Sequence, residues 1–570
     1  MPGPDDDRDD DVRVPSPFET LVAWLGPPRG YTLTRWIILR LLGVVYAFAF
    51  LGIVFQGLPL IGSHGLTPVA SYLDQLRHAG QTFWDVPTLF FASDSDTMLM
   101  TCAYVGLALS IVVAIGYANL PILAILWLLY GSFERVGQDW WAFGWEMQLL
   151  ETGAIAALLA HPWDPRPLAA RPPPTTAIVL TRWLAFRIML GAGLIKLRGD
   201  DCWRALTCLD SHFETQPIPN PLSAWFHHQP HDVHAIGVVF NHVVEVVAPW
   251  FVFGPRRLRL IAGCLMVAFQ VVLVLSGNLA FLNWLTLVPL LACFDDDAIL
   301  AILPKRARSW VAARIPARPP RSGGELASAF GIVLGVIIAW DVVTGWLGAP
   351  WQVVLGVALV IAACIVLRKR DLHQLAIGAF AALVAVKSIA VVENLAGSHQ
   401  AMNRNYDRLE LVNTYGAFGS VGATRHELVI EGTLDADPSN ATWHAYELPC
   451  KPGDVARRPC VLGPYHRRLD WLIWFAAMAD RPPYLWVYHL AWKLLDGDRA
   501  IRELFAVDPF DGQPPRWLRI QRYVYRFAPS SSSDWWVRSD EEPWLPPVSK
   551  DSPELREIFE QYGGPSPSEH

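Results

Sequence analysis

Charge is the scarcest property of this chain. Asp, Glu, Lys and Arg make up 17% of its 570 residues, where a soluble globular protein carries about 25%, so an ordinary soluble fold is excluded for most of the sequence. Chemistry-bearing motifs are also missing. There is no His-Glu-x-x-His, no Gly-x-Ser-x-Gly and no Walker A sequence, which leaves zinc-peptidase, acyl-transfer and NTPase activity without support. No basic patch interleaved with aromatics is present, so no nucleic acid partner is expected. Cysteine is sparse, at eight residues, and no pair has the Cys-x-x-Cys spacing of redox exchange. A cleavable signal peptide is not expected, because the first apolar run begins after Thr34 and is too long for an h-region.

What is abundant is apolar sequence. Hydrophobic residues reach 52%, with 26 Trp and 45 Pro, a composition suited to spans with interfacial rings and broken connections. About eleven apolar segments can be marked, at 36–57, 97–116, 119–132, 146–160, 177–196, 235–254, 258–276, 279–300, 327–347, 351–367 and 372–392, with 119–132 and 146–160 alternatively one re-entrant pair, whose loss keeps the count odd. An odd count puts the two ends of the chain on opposite sides of a bilayer. The basic loops fall on alternate connections: Arg166 with Arg171, Arg256 to Arg259, Lys305 to Arg321, and Arg368 to Arg370. By the positive-inside rule that side is cytoplasmic. The loops 58–96 and 197–234 and everything after 393 then lie outside, where the two loops can pack against the tail.

The expected architecture is an α-helical polytopic membrane domain followed by an α+β, β-rich, soluble extracytoplasmic domain. Its divisions are an acidic disordered cytoplasmic tail over 1–30, a multi-span domain over 31–303, further spans over 304–400, the C-terminal domain over 401–530 and a loosely ordered end over 531–570. Within the tail, the alternation of Leu409 to Val412, Glu427 to Glu431, Trp443 to Glu447 and Arg516 to Phe527 predicts strands. Asp470 to Met478 and Leu485 to Leu495 predict helices.

Ionisable groups inside spans are functional candidates. Arg187, Lys196, His242 and Glu245 form a candidate intramembrane polar network, with an Arg187–Glu245 pair holding two helices together as its plainest form. Glu146, Arg182 and Lys196 lie near segment ends, where snorkelling is expected. His227, His228, His231 and His234 crowd one outside loop. Pro230 interrupts the i,i+4 pair and no ligand set is complete, so no metal is expected. Cys102, Cys264, Cys293 and Cys364 fall in spans, whereas Cys202, Cys208, Cys450 and Cys460 fall outside, where disulfides persist. Cys202 with Cys208 and Cys450 with Cys460 would close short loops, and a cross-pair between loop and tail stays open. Asn440-Ala441-Thr442 is a glycosylation sequon on the same side.

Longer motifs carry a resemblance. They include Cys202-Trp203-Arg204 through Asp210, Glu214-Thr215-Gln216-Pro217, Gly277-Asn278-Leu279-Ala280-Phe281, Val412-Asn413-Thr414-Tyr415-Gly416-Ala417-Phe418-Gly419, and Pro464-Tyr465-His466 with Asp470-Trp471. From about Tyr31 to Trp544 the chain resembles the lipase maturation factor family. The resemblance implies a polytopic protein of the endoplasmic reticulum membrane that assists folding and assembly of secreted lipases and contacts membrane lipid. It further implies a lumenal C-terminal domain that meets a lipase or related hydrolase client, here through a region containing Tyr415, Phe418, Tyr465, Trp471 and Trp474. The family carries no established catalytic residue, so no catalytic residue and no cofactor are expected. The Ala-, Arg-, Pro- and Trp-rich composition is similar to that of GC-rich bacterial sequences, in which case the membrane is the cytoplasmic one. As an alternative, the helical region is distantly similar to vitamin K-dependent carboxylase-like proteins. That would make the chain an integral membrane enzyme for a lipid- or quinone-like substrate, with Lys196, His242 and Glu245 as acid–base groups. A transporter is disfavoured by the lack of an internal repeat.

Overall fold

The computed structural model describes residues 30–168, 171–315, 372–480 and 484–562. The first long helix, α1 (Thr32–Ile61), has no capping side chain of its own. Its first free N–H groups are taken instead by Asp296, whose carboxylate accepts from Thr32 at 3.0 Å and Leu33 at 2.8 Å. This ties the start of the helical domain to its end. Local signals set the next helices. Ser95 caps α2 (Asp96–Ile115), which stops at Gly116 with φ of 130°, and Asn119 caps α3 (Leu120–Val136). Then follow α4 (Gly144–Leu159) and α5 (Thr175–Arg198). The next, α6 (His231–His242), passes through a wide π turn at Val243–Val247 into a tight turn carrying Pro249. After it come α7 (Arg256–Ser276), the short α8 (Leu282–Leu290) and α9 (Leu372–Ala396).

Six helices among the described residues are long and apolar enough to cross a membrane. They are α1, α2, α5, α6 with its π turn, α7, and α9 from Ala376. α5 is buried on nearly every side, whereas α2 and α7 turn Tyr104, Ile111, Ile115, Val271 and Leu275 outward, the pattern of helices facing lipid. Three expected spans come out differently. α3 and α4, at 17 and 16 residues, are packed against each other and fall outside the six, and 279–300 is no continuous span. There the chain forms α8, interrupted at Pro289 and followed by a tight turn and a new cap at Asp295. The segments 327–347 and 351–367 lie outside the described residues.

The C-terminal domain is built on a four-stranded antiparallel sheet of order β2-β1-β3-β4. Its strands are β1 (Arg425–Thr433), β2 (His444–Tyr446), β3 (Trp517–Phe527) and β4 (Trp536–Val548). Ile430 pairs with Ile520 on one side and Tyr446 on the other. One face of the sheet packs Leu428, Ile430, Leu518 and Ile520 into a core shared with α10 (Arg468–Ala477) and α11 (Leu485–Asp496). The other face gathers Val429, Tyr523, Tyr525, Phe527 and Trp536. Two expectations fail. The predicted strand at Leu409 to Val412 is a loop, because the Asp407 carboxylate takes the N–H groups of Leu409, Leu411 and Val412 that a ladder would need. The stretch after 530 is ordered in β4 and in α12 (Pro553–Tyr562). Pro543, Pro546 and Pro547 argue against a central strand, but β4 is an edge strand with register breaks, where proline is tolerated.

Candidate functional site

The described basic loops share one end of the helical bundle. Arg35 donates to the Arg171 carbonyl at 2.7 Å, Arg256 pairs with Asp295 at 2.6 Å, and Lys305 follows one short helix later. At the opposite end sit both long loops and the C-terminal domain. His489 shares a hydrogen bond with the Leu66 carbonyl at 2.6 Å, Arg408 donates to the Trp84 carbonyl at 3.1 Å, and Arg425 donates to the Glu214 carbonyl at 2.8 Å. Loop 197–234 is thus a structural part of the C-terminal domain's seat.

Two buried charge networks fix that seat. In the first, Glu151 on α4 pairs with Arg187 on α5. Arg187 donates to the Asn413 carbonyl at 2.7 Å, while the Asn413 backbone at 3.2 Å and the Tyr415 hydroxyl at 2.6 Å donate to Glu151. Gly191 makes the approach possible, since a Cβ there would overlap the Tyr415 carbonyl. In the second, Arg468 at the start of α10 pairs with Glu146 on α4 at 2.9 Å, donates to the Trp140 carbonyl and lies 3.9 Å over the Trp141 ring. Tyr130 and Trp145 also donate to Glu146. Gln56 of α1 accepts from the Arg468 N–H at 2.9 Å, capping α10 from another domain. Burial would make each ion costly alone, so every charge here is paired and further hydrogen-bonded.

The sequence-based network is therefore divided. Arg187 does not meet Glu245. The two are separated because Lys196, nine residues and roughly 13 Å further along α5, occupies Glu245 instead. The Lys196 ammonium donates to both Glu245 oxygens at 2.8 and 2.7 Å and to Asn241 at 2.9 Å. His242 stays apart, 3.1 Å from the Trp203 carbonyl. Neither Glu146 nor Lys196 snorkels, and Arg182 turns inward to the Ala292 carbonyl at 2.8 Å and the Tyr31 hydroxyl at 2.7 Å. Sequence reasoning missed the partners contributed by the tail, Asn413 and Arg468. An Asn or Arg in a polar domain gives no sign of being destined for the helical one.

The four outside cysteines form disulfides Cys202–Cys208 and Cys450–Cys460, with Cα separations of 4.8 and 5.3 Å. The second is moored to the helical domain, because Asn278 donates to the Cys460 carbonyl at 2.9 Å and accepts from the Leu462 N–H at 2.8 Å. For a loop this short, the Cys450→Ser/Cys460→Ser double variant is expected to lose roughly 2–3 kcal/mol. Thermal unfolding in detergent checks this, and an unchanged Tm would contradict it.

The histidines split between partners. His231 and His234 contact Asp210, at 3.0 and 2.8 Å, and His227 approaches Glu214 at 3.4 Å. Pro230 separates His227 and His231 into two helices. No cluster among the described residues has the composition of a metal site. Burial lowers the His227 imidazole to about 4, helped by His228 and His234 against Asp210. A depressed histidine stabilises the fold above its unfolded value and ceases to do so as pH falls through 6.5 towards 4. Relative to a His227→Gln variant, the wild type should lose up to roughly 1.4 kcal/mol per pH unit in that window. Paired melting curves at pH 7.5 and 5 read the difference; parallel curves would contradict it.

Of the five residues expected to meet a client, Tyr415, Phe418, Trp471 and Trp474 come together around one cavity of about 570 Å³ between the two domains. Tyr465 stands elsewhere, its hydroxyl accepting from Gln56 at 3.0 Å. Tyr415 and Trp471 are buried, so their rings form walls and not an outer surface. Exposed aromatic rings on this side include Trp84 and Trp225, 79% and 58% accessible.

The fold and this seat define a polytopic membrane protein whose helices carry a disulfide-bonded, β-rich domain at the end away from the basic loops. Residues 33–301 match the model of the lipase maturation factor transmembrane domain, and residues 411–546 match that of the lipase maturation factor C-terminal domain. The chain is 41% identical to lipase maturation factor 1 of Homo sapiens (94% of this chain, 91% of the relative) and 40% identical to that of Bos taurus (94% and 92%). It is 31% identical to lipase maturation factor 2 of Homo sapiens (94% and 85%). The chain belongs to the lipase maturation factor family. No solved structure matches it.

Proposed function

We propose that this protein is a membrane-anchored maturation factor for secreted lipases or related hydrolases, and that it meets its clients through the C-terminal domain together with loop 197–234. The observation that carries this reading is the match of both domains to one family, across nearly the whole chain, with relatives named for lipase maturation. The basic loops at the other end of the bundle support an extracytoplasmic C-terminal domain. So do the two disulfides and the exposed Asn440 sequon. In a eukaryotic cell that compartment is the endoplasmic reticulum lumen, and in a bacterium it lies beyond the cytoplasmic membrane. Binding would shield apolar client surface until assembly and needs no nucleotide.

The role is non-enzymatic. Lys196, the acid–base candidate of the carboxylase-like alternative, has its three N–H donors committed to Asn241 and Glu245, the arrangement of a structural ion pair. The test is co-expression with a secreted lipase in cells lacking their own maturation factor. Wild type should raise the activity per mass of secreted lipase, and a Trp84→Ala/Trp225→Ala variant of normal abundance should not. Full rescue by that variant would remove the exposed loop rings from the reading. Failure of wild type itself would remove lipases as clients.

A further inference from the structure

The cavity between the domains has a construction of its own. Its floor comes from the helical domain, with Trp145, Leu279 and Leu282, and its wall from Ile188 and Ala192 on α5. The opposite wall is the stretch 415–422, whose Gly416, Ala417, Gly419 and Gly422 leave volume that larger side chains would fill. Two of the chain's eight methionines, Met402 and Met478, stand at the exposed rim beside Asn403 and Thr424. Flexible thioethers at a mouth accommodate apolar ligands of varying shape. At about 570 Å³ the space is within the range of small-molecule sites, roughly 300–1,000 Å³.

Its polar atoms narrow the choice of occupant. Gln148 donates to Thr286 at 3.1 Å, the Trp474 indole donates to the Thr215 carbonyl at 3.0 Å, and the Asn403 amide oxygen accepts from the Gly416 N–H at 3.3 Å. His212 is buried against Phe418, its ring making no hydrogen bond. The lining also includes Asp139, Ser420, Thr424 and His426, but it is mainly apolar, so a peptide strand entering here would bury more N–H and C=O groups than these can receive. An unbranched hydrocarbon chain carries no such groups. We propose that the cavity binds one long-chain acyl group, its tail on the Trp145–Leu282 floor and its polar head at the Met402–Met478 rim.

The proposal is independent of the client reading and is tested on the purified full-length protein without any client. The probe is cis-parinaric acid, a fluorescent long-chain fatty acid that accepts energy from the tryptophans of the cavity. Wild type should show saturable one-site energy transfer, reversed by palmitate. Ala417→Trp, which fills the cavity, and Met478→Trp, which closes the rim at a residue already 53% exposed, should each weaken binding about tenfold, the worth of about two excluded methylenes. Palmitate should raise the Tm of wild type and leave that of Met478→Trp unchanged. Uptake that never saturates, wild-type affinity in Met478→Trp, or displacement by an apolar peptide but not by palmitate would each overturn it.

Discussion

Replacing Arg187 by Met should unfold the junction between the two domains. Its guanidinium lies at 1% side-chain exposure against Glu151 at 0%, and the variant leaves that carboxylate buried with only the Tyr415 hydroxyl and the Asn413 amides as donors. Removing one member of such a pair costs about 3–5 kcal/mol, a large share of the roughly 5–15 kcal/mol that holds a typical domain together. The Asn413 carbonyl also loses its donor. Adding Glu151→Gln should restore more than half of the loss, because a neutral amide oxygen still accepts from Tyr415 and Asn413 while the stranded charge is gone. The readouts are the monodisperse fraction on size exclusion and the Tm in detergent. A double variant no better than Arg187→Met would show that the charge itself is not the problem.

The second large effect is expected at Arg468. Arg468→Met strands Glu146 in the same way, at about the same 3–5 kcal/mol, but the consequence should be positional. Arg468 is the first residue of α10, and with it go the contact to the Trp140 carbonyl and the stack on Trp141. The C-terminal domain should then swing from its seat while the helices stay folded, seen as rapid proteolysis between residues 397 and 409 with intact fragments on either side. Lysine should not rescue. An ammonium can meet Glu146 or the Trp140 carbonyl but cannot also present a planar face to Trp141. Proteolysis of Arg468→Lys at the wild-type rate would contradict this.

Much of the fold was legible because periodicity reports burial directly. Arg522 to Phe527 alternates and is a strand, and the long apolar runs at 36–57 and 258–276 are helices. Composition misled where context decides. Pro543, Pro546 and Pro547 suggest loose chain, yet sit in an edge strand that needs few of their missing donors. Leu409 to Val412 alternates like a strand, yet Asp407 claims its N–H groups. At the site, the four outside cysteines could be read from compartment, but spacing left their pairing open until the structure set Cys202 by Cys208 and Cys450 by Cys460. The ion pairs could not be read, since a charged residue in a span announces that it needs a partner without saying which. The expected partner of Arg187 is Glu245, yet Glu151 holds it instead, and the π turn at Val243–Val247 beside Lys196, invisible in sequence, belongs to the geometry that gives Glu245 to Lys196. The aromatic motif around Trp471 was visible as a motif; that its rings wall a cavity follows only from the docking of two domains.

Everything proposed about clients depends on the C-terminal domain and the basic loops facing opposite sides of the membrane. With Cys102, Cys264, Cys293 and Cys364 replaced, a single cysteine is placed at Ser531, exposed after β3, or at Arg306, exposed beyond Ile302. Each is probed with a membrane-impermeant maleimide from the extracytoplasmic side of sealed membranes. Ser531→Cys should label at once and Arg306→Cys only after the bilayer is breached. Labelling of both from one side, or of Arg306→Cys alone, would contradict the account.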